Sequence, residues 1–284
     1  MEQRVFGRTG EKLSVVGFGG IIVMNEEPAA AARMVSEAID RGVTYFDVAP
    51  SYGDAEVKLG PALHPYRSNV FLACKTGKRT GKEAMAELEA SLKHMKTDHF
   101  DLYQHHGVTT REEVATILGP DGAVETFVQA RRKGMVRHLG FSAHSEEAAL
   151  ALMDGFDFDS ILFPFNWACW LKAGFGRAVL ARAQEKGMVR LALKTLAKRK
   201  WNEGEEKQWP KCWYKPVDTY AEAEKAVRFT LSMPVTAGVS PGHIELFRWM
   251  CDAAERIGPL SPADEAALGS AAAELDVIFP EAST

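Results

Sequence analysis

The sequence predicts an α/β fold, a (β/α)8 TIM barrel with an N-terminal β-hairpin, as a single domain over residues 1–284. Three observations predict it. Eight strand-like runs alternate in order with helix-like ones, the pattern of parallel strands joined by crossover helices. The connections between them are short. The chain has 284 residues, 46% of them hydrophobic, which suits one closed eight-stranded barrel with a large core.

Taken in order, "RVFGRTGEKLS" reads as a hairpin and "VVGFGG" as the first barrel strand, ending in glycines. "PAAAARMVSEAIDRG" is an alanine-rich helix closed by Gly42. "VTYFDVA" is β-branched and aromatic, as a strand should be, and "GDAEVKLGPAL" is its helix. The pairs "NVFLACK" with "GKEAMAELEASLKHM", "FDLYQHH" with "AVETFVQARRKG", and "VRHLGFS" with "SEEAALALMDG" give units three to five. "FDSILFPF" with "GRAVLARAQEKG", "MVRLALK" with "DTYAEAEKAVRFTLS", and "PVTAGVS" with "IELFRWMCDAAERI" complete the eight. A doubly wound dinucleotide fold is the rival, on the strength of Gly17–Gly20. Its third glycine is missing, because position 22 is Ile22, and no ribose-binding acid follows the second strand. The glycines, Gly19 among them, read instead as places where a cofactor or loop comes close to the barrel rim.

Charge and cysteine usage exclude several classes. A net charge of −4 argues against nucleic acid or an anionic membrane as the partner. No apolar run approaches the ~20 residues of a membrane span, and "MEQRVFGRTG" lacks an apolar secretion segment. The four cysteines are far apart, with no CxxC pair, and read as idle thiols in a reducing, cytoplasmic setting. Oligomeric state is not legible.

The C-terminal ends of barrel strands form the active-site rim. Asp47 ends the second strand, Lys75 the third and His106 the fourth, and Tyr52 lies in the loop just beyond Asp47. For Asp47 and Tyr52 alone, a helix cap and a packing tyrosine are equally good readings. Three charged or polar strand ends in succession are harder to explain as surface decoration. A phenol of pKa about 10 is a poor acid near neutrality, but a neighbouring ammonium lowers it. Lys75 would supply that charge, Asp47 would hold Lys75 protonated, and His106 would orient a substrate oxygen. No side chain supplies hydride, so a reduction requires a nicotinamide cofactor. Adjacent strand residues face opposite ways, so His105 and His106 do not share a metal. His64, His94, His99 and His138 have no ligand spacing, and no metal is expected.

At these residues the chain resembles the aldo-keto reductase family. "FGRTGEKLSVVGFGG" is similar to that family's opening hairpin and first strand, and "FDVAPSYGDAEVKLG" to its D-x4-Y-G-x-(S/A)-E segment. Lys75 in "FLACKTG" and His106 in "DLYQHHG" match the other two catalytic positions. The resemblance implies a (β/α)8 barrel, NADPH (NADH less so) and reduction of an aldehyde or ketone, with Tyr52 as proton donor. Ser142 in "VRHLGFSAH" matches the carboxamide-binding serine, but the usual asparagine after it is Ala143. His144 either replaces that contact or caps the next helix. The strand-six glutamine corresponds to Leu162, with Asn166 nearby as a site residue or turn former, and the aromatic that stacks on the nicotinamide is Leu193.

For the cofactor phosphates the reading names Lys194 with its loop, and Ser240 and Gly242 at the start of the eighth helix. The K-S-x4-R motif is absent; Arg248 is its best substitute, or else part of a solvated helix face. "KRKWNEGEEKQWPKCWYKP", Lys198 to Pro216, reads either as a surface loop whose tryptophans pack beneath it or as a lid whose tryptophans close over the mouth and whose lysines and Arg199 suit a pyrophosphate, and the lid is the favoured reading. The short C-terminal stretch suggests an open pocket. The alternative function is a nicotinamide-nucleotide-binding sensor or regulatory subunit with weak reductase activity, which the missing nicotinamide contacts favour. A barrel hydrolase or isomerase using Asp47 and His106 leaves the Tyr52–Lys75 pairing unexplained.

Overall fold

The computed structural model describes residues 1–256, 258 and 260–280. Strands β1 (Gln3–Val5) and β2 (Lys12–Ser14) form the antiparallel hairpin. The barrel strands are β3 (Val16–Gly19), β4 (Tyr45–Asp47), β5 (Phe71–Thr76), β6 (Phe100–Val108), β7 (Val136–Ala143), β8 (Ser160–Phe163) and β9 (Val189–Ala192). Two short strands follow, β10 (Ala197–Arg199) and β11 (Lys215–Pro216), and then β12 (Ala237–Val239), which pairs with both β9 and β3. The ring β12-β3-β4-β5-β6-β7-β8-β9 is closed and parallel throughout.

The helices are α1 (Pro28–Asp40), α2 (Ala55–Leu63), α3 (Gly81–Met95), α4 (Arg111–Leu118), α5 (Ala123–Arg132) and α6 (Glu146–Gly155). They continue with α7 (Trp167–Ala173), α8 (Arg177–Glu185), α9 (Tyr220–Ser232), α10 (Ile244–Ala254) and α11 (Pro262–Ala273). The eight predicted strand–helix units are present. Among the described residues, three α-helices lie outside the prediction. Helix α4 opens with a capping box between Thr110 and Glu113, a T-x-x-E signal that the sequence does carry. Helix α7 is a short insertion after β8, and α11 follows the barrel, capped by Ser261 with Pro262 in its first turn. Among the described residues no helix is long and apolar enough to cross a membrane.

The strand period of two builds the site from the barrel floor upward. Inward positions begin apolar: Tyr45, Phe71, Leu102, Val189 and Ala237 form the inner cluster, which Phe6 and Leu13 of the hairpin close from below. Phe6 lies 4.9 Å from the rings of both Phe71 and His138. Two or four residues later the same inward rows reach Asp47, Lys75, Gln104 and Ser142. The pairing register sets Lys75 beside Gln104 and Asp47 beside Ala73, one inward position before Lys75, so the three groups are neighbours. Outward positions, such as Phe46, Leu72, Tyr103, Phe141 and Phe163, pack under the helices in the larger cluster.

Candidate active site

Tight alternation decides the two histidines. His105 faces outward and stacks on Phe127 of α5, with ring centroids 3.9 Å apart and planes 6° from parallel. Burial pushes it down to about 3, with Arg79 adding to the effect, so it is a neutral core imidazole. His106 faces the pocket. Among the described residues, no group of three or more His, Cys, Asp or Glu is placed to hold a metal ion.

The four residues at the ends of β4, β5 and β6 converge. Lys75 is fully buried and its Nζ is hydrogen-bonded and ion-paired to Oδ1 of Asp47. The same ammonium donates to the Val48 carbonyl at 3.3 Å and to the Tyr52 hydroxyl at 3.4 Å. Burial opposes the charge on Lys75. Asp47 and Tyr52 outweigh it and hold the lysine charged, well above its ordinary range. The other oxygen of Asp47 accepts from Gln104 Nε2 at 3.2 Å and from the Tyr45 hydroxyl at 3.4 Å. A buried carboxylate held from both sides in this way has little freedom to turn.

Burial raises the Tyr52 phenol above 10, and Asp47 adds to that, while Lys75 pulls it down. The phenol therefore does not fall below its ordinary value, as the lysine alone would have it. Lysine acts in the predicted direction, but desolvation wins. Tyr52 keeps its proton through neutrality, as a proton donor must. Its ring meets His106 edge-on at 5.7 Å. Burial and the cations Lys75, Lys194 and Arg79 hold His106 well below 6.5, so it is neutral. Ser51 Oγ is 3.2 Å from His106 Nδ1. If the hydroxyl donates there, the ring N–H is on Nε2, free to donate a hydrogen bond to a substrate oxygen.

The tetrad opens into a pocket of about 170 Å³. Ser142, Leu162, Leu193 and Val239 make its far wall, Ser240–Gly242 one side, and Lys211–Tyr214 its cover. Ser142 Oγ accepts from the Gly107 N–H at 2.8 Å. His144 lines the pocket, stacks on Phe279 at 5.4 Å and receives Lys194 Nζ at 3.1 Å. It is not the cap of α6, because Ser145 Oγ accepts from Ala148 N. Helix α10 begins beside the pocket with no side-chain cap at His243, so its first N–H groups suit a phosphate. Ser240 and Gly242 line the pocket at this end.

Three expected cofactor contacts are corrected. Asn166 is 0% exposed. Its Oδ1 caps α7 by accepting from Cys169 N, and its Nδ2 donates to the carbonyls of Lys194 and Ala197, both at 2.8 Å. With every polar position engaged it is a structural clamp. Arg248, 45% exposed, forms a bidentate pair with Glu37 of α1 at 2.8 and 2.7 Å and is not among the pocket walls. Gly19 is small because a β-carbon there would come within 2.3 Å of the Ser240 carbonyl. It lets β3 approach β12, not a cofactor.

The segment after β9 also departs from expectation. Its ends pair as β10 and β11. Most of its cations are engaged within the protein: Arg199 and Lys215 with Glu205, Lys198 with Asp218 and Glu222, Lys200 with Asp276, and Lys211 with Glu26. These basic groups are not held in reserve for a pyrophosphate. Trp209 is buried against His243 and Trp249, and the Trp201 indole donates to the Cys212 carbonyl; Trp213 alone of the three is largely exposed, at 55%. Lys211–Tyr214 form one wall of the pocket. Trp213 and Phe279 meet edge-on at 6.1 Å above Lys194.

Several participants lay outside the prediction. Gln104 and Tyr45 carry a readable signal, since each sits two residues from a tetrad member on the same inward row. Ser51, Tyr214 and Phe279 carry none, because loop and tail conformations bring them in.

Comparison with known proteins agrees with the geometry. The chain is 31% identical to the uncharacterized oxidoreductase YqkF of Bacillus subtilis over 50% of this chain and 49% of that protein. It is 33% identical to the aldo-keto reductase YhdN of the same organism over 52% and 48%. The matches thus span about half the length of these curated relatives. The structure of the aldo-keto reductase AKR11C1 from Bacillus halodurans in its holo form superposes with a TM-score of 0.75, covering 97% of this chain and 98% of that one, at 23% identity. That likeness shows the fold. The profile of the Aldo/keto reductase family matches residues 16–266, and the chain belongs to that family.

Proposed function

We propose that this chain is an oxidoreductase that reduces a small aldehyde or ketone to an alcohol, with a nicotinamide cofactor. The observation that carries the reading is the buried Lys75 ammonium, fixed by Asp47 and 3.4 Å from the hydroxyl of Tyr52, at the mouth that His106 shares. A hydride acceptor develops negative charge on its oxygen. Tyr52 gives that oxygen its proton, Lys75 stabilises the phenolate left behind, and neutral His106 donates a hydrogen bond that fixes the carbonyl. Asp47, Gln104 and Tyr45 hold Lys75 in place.

The cofactor, when bound, supplies the hydride. The residues present fit it in two places. Ser142 stands among Leu162, Leu193 and Val239, a slot with one polar group for a carboxamide, and the uncapped start of α10, just after Gly242, suits a phosphate, while Ser240 is held by the Gly17 carbonyl and the Gly19 N–H. The similar Bacillus halodurans protein is known in a holo form, which is consistent with cofactor use in the family. At about 170 Å³ the pocket is below the ~300–1,000 Å³ of sites that enclose larger ligands. Lys211–Tyr214 must therefore move for a dinucleotide to enter. NADPH is preferred over NADH on the family resemblance alone, since Arg248 is committed to Glu37.

The sensor reading draws on Leu162 and Leu193, which replace two nicotinamide contacts. The complete tetrad speaks against it. Fluorescence titration with NADPH and NADH, followed by turnover of a carbonyl panel, separates the two. Reduction that falls on the order of 100-fold or more in Tyr52→Phe supports the enzyme. Tight binding with no turnover of any carbonyl supports the sensor.

A further inference from the structure

The pocket carries one cation that its surroundings leave uncompensated. Of the lysines that line it, Lys75 is paired with Asp47 and Lys211 with Glu26. Lys194 has no carboxylate partner among the described residues. Its Nζ lies over the rings of Trp213, Tyr214 and Phe279, at 5.2, 5.9 and 5.8 Å. Aromatic faces favour an ammonium over an amine, and the only directed partner among the described residues is His144 Nε2 at 3.1 Å. The backbone supports this placement. Lys194 has φ of 61°, a strained conformation for a residue with a β-carbon. Asn166 clamps the carbonyls on either side of the turn. The His144 ring passes 3.9 Å from where a β-carbon on Gly107 would be, and Gly107 directly follows His106. The cation is thus beside the histidine end of the tetrad.

We propose that Lys194, backed by His144, is the subsite for an anionic substituent, a carboxylate or phosphate, carried by the carbonyl substrate. The inference rests on the reading of this pocket as a carbonyl-reducing site. An ammonium caged by three rings, with N–H groups toward the cavity and no counter-ion, is completed by an oxyanion. Burial draws Lys194 down to about 7, and Lys75 adds to this, so an incoming anion also restores its full charge. The small pocket suits a short chain between carbonyl and anion.

A phosphate of the cofactor is the competing source of that anion, and the experiment separates the two. Turnover of 4-oxobutanoate and of its methyl ester, one skeleton with and without charge, is measured with saturating NADPH. The proteins are the unmodified chain, Lys194→Met and Lys194→Arg, and NADPH affinity is measured for each. The expected result is a preference for the acid over the ester of about 10- to 100-fold in kcat/KM, the range of a charge-assisted hydrogen bond. It should be carried by KM, abolished in Lys194→Met and largely kept in Lys194→Arg. Lys194→Gln takes the place of the Met variant should that one fail to fold. Equal use of acid and ester by the unmodified chain overturns the proposal, and so does a preference that survives loss of the charge. Weaker NADPH binding in Lys194→Met with the preference intact assigns the anion to the cofactor and also overturns it. Reduction of neither aldehyde overturns the functional reading, and this inference with it.

Discussion

The two sides of the barrel mouth are built differently. On the side of β4, β5 and β6, the strand-borne groups Lys75, Asp47, Gln104 and Tyr45 are tied to one another, and the loop after β4 adds Tyr52 to Lys75 and Ser51 to His106. Backbone pairing fixes their spacing, so the constellation is preorganised by the sheet itself. On the side of β7, β8 and β9, the walls are Ser142, Leu162, Leu193 and Lys194; Ser142 is held by the Gly107 N–H of β6, whereas Lys194 meets His144 and the rings of the strap, residues 198–216, and of the C-terminal segment. The difference teaches where function resides. Chemistry that needs sub-ångström placement sits on strands, whereas selection of what is bound sits on groups that loops bring together.

The largest break in this comparison is removal of Lys75. Lys75→Met leaves Asp47 as a buried carboxylate without its cation, a loss of about 3–5 kcal/mol in stability, measurable by urea unfolding. Turnover should fall on the order of 1,000-fold, within the range of acid–base catalysis. Because the strand-borne groups act as one unit, adding Asp47→Asn should make activity little worse than the worse single variant. Additive losses would show that they act separately.

A smaller effect is expected one position away. Gln104→Leu removes one tether of Asp47 without touching substrate, and turnover should drop about 10-fold, the worth of one hydrogen bond to a charged group. Cofactor affinity should stay as it was. A variant with unchanged turnover would mean that the Lys75 pair needs no support from β6.

The pH response follows from the same side. His106 is held well below 6.5 and Tyr52 above 10, so neither changes charge near neutrality. For a neutral aldehyde, kcat/KM should be level from about pH 6 to about pH 9. Lys75 and Tyr52 are both raised in the folded chain. Their contribution to stability is therefore complete below their unfolded values of about 10 and is lost as pH climbs through the folded ones. An activity limb near pH 6.5 would show that His106 titrates as a free imidazole.

The smallest effect belongs to the strap. Its ends are tied by β10–β11 and by the Arg199–Glu205–Lys215 ion pairs, and Trp209 is buried. Amide exchange should thus be slow at 197–199 and 215–216 with or without cofactor, and faster at 211–214, where NADPH slows it. Trp209→Ala should loosen the tip and weaken cofactor binding a few-fold. Uniformly slow exchange with no response to NADPH would make the whole segment a fixed wall.

These differences also explain what the sequence could tell. Asp47, Lys75 and His106 were legible because a strand's period of two and its end position are written in the sequence itself, and Gln104 was legible by the same rule. Asn166 and Arg248 were misread because their partners, the carbonyls of Lys194 and Ala197 and the carboxylate of Glu37, are remote in the chain. In the strap, the pairing of Arg199 and Lys215 with Glu205 and of Lys198 with Asp218 is local but depends on the loop's conformation, and only the Glu26 partner of Lys211 is remote in the chain. Phe279 over His144 had no local sign at all.

The most direct test of the division between the two sides is cofactor affinity and cofactor-saturated turnover, measured together on Tyr52→Phe and Ser142→Ala. Tyr52→Phe should lose turnover on the order of 100-fold or more with NADPH affinity almost unchanged. Ser142→Ala should bind NADPH about 10-fold more weakly, the worth of one lost hydrogen bond, and keep most of its turnover at saturation. Near-normal turnover in Tyr52→Phe, or turnover and affinity falling together in both variants, would contradict the account.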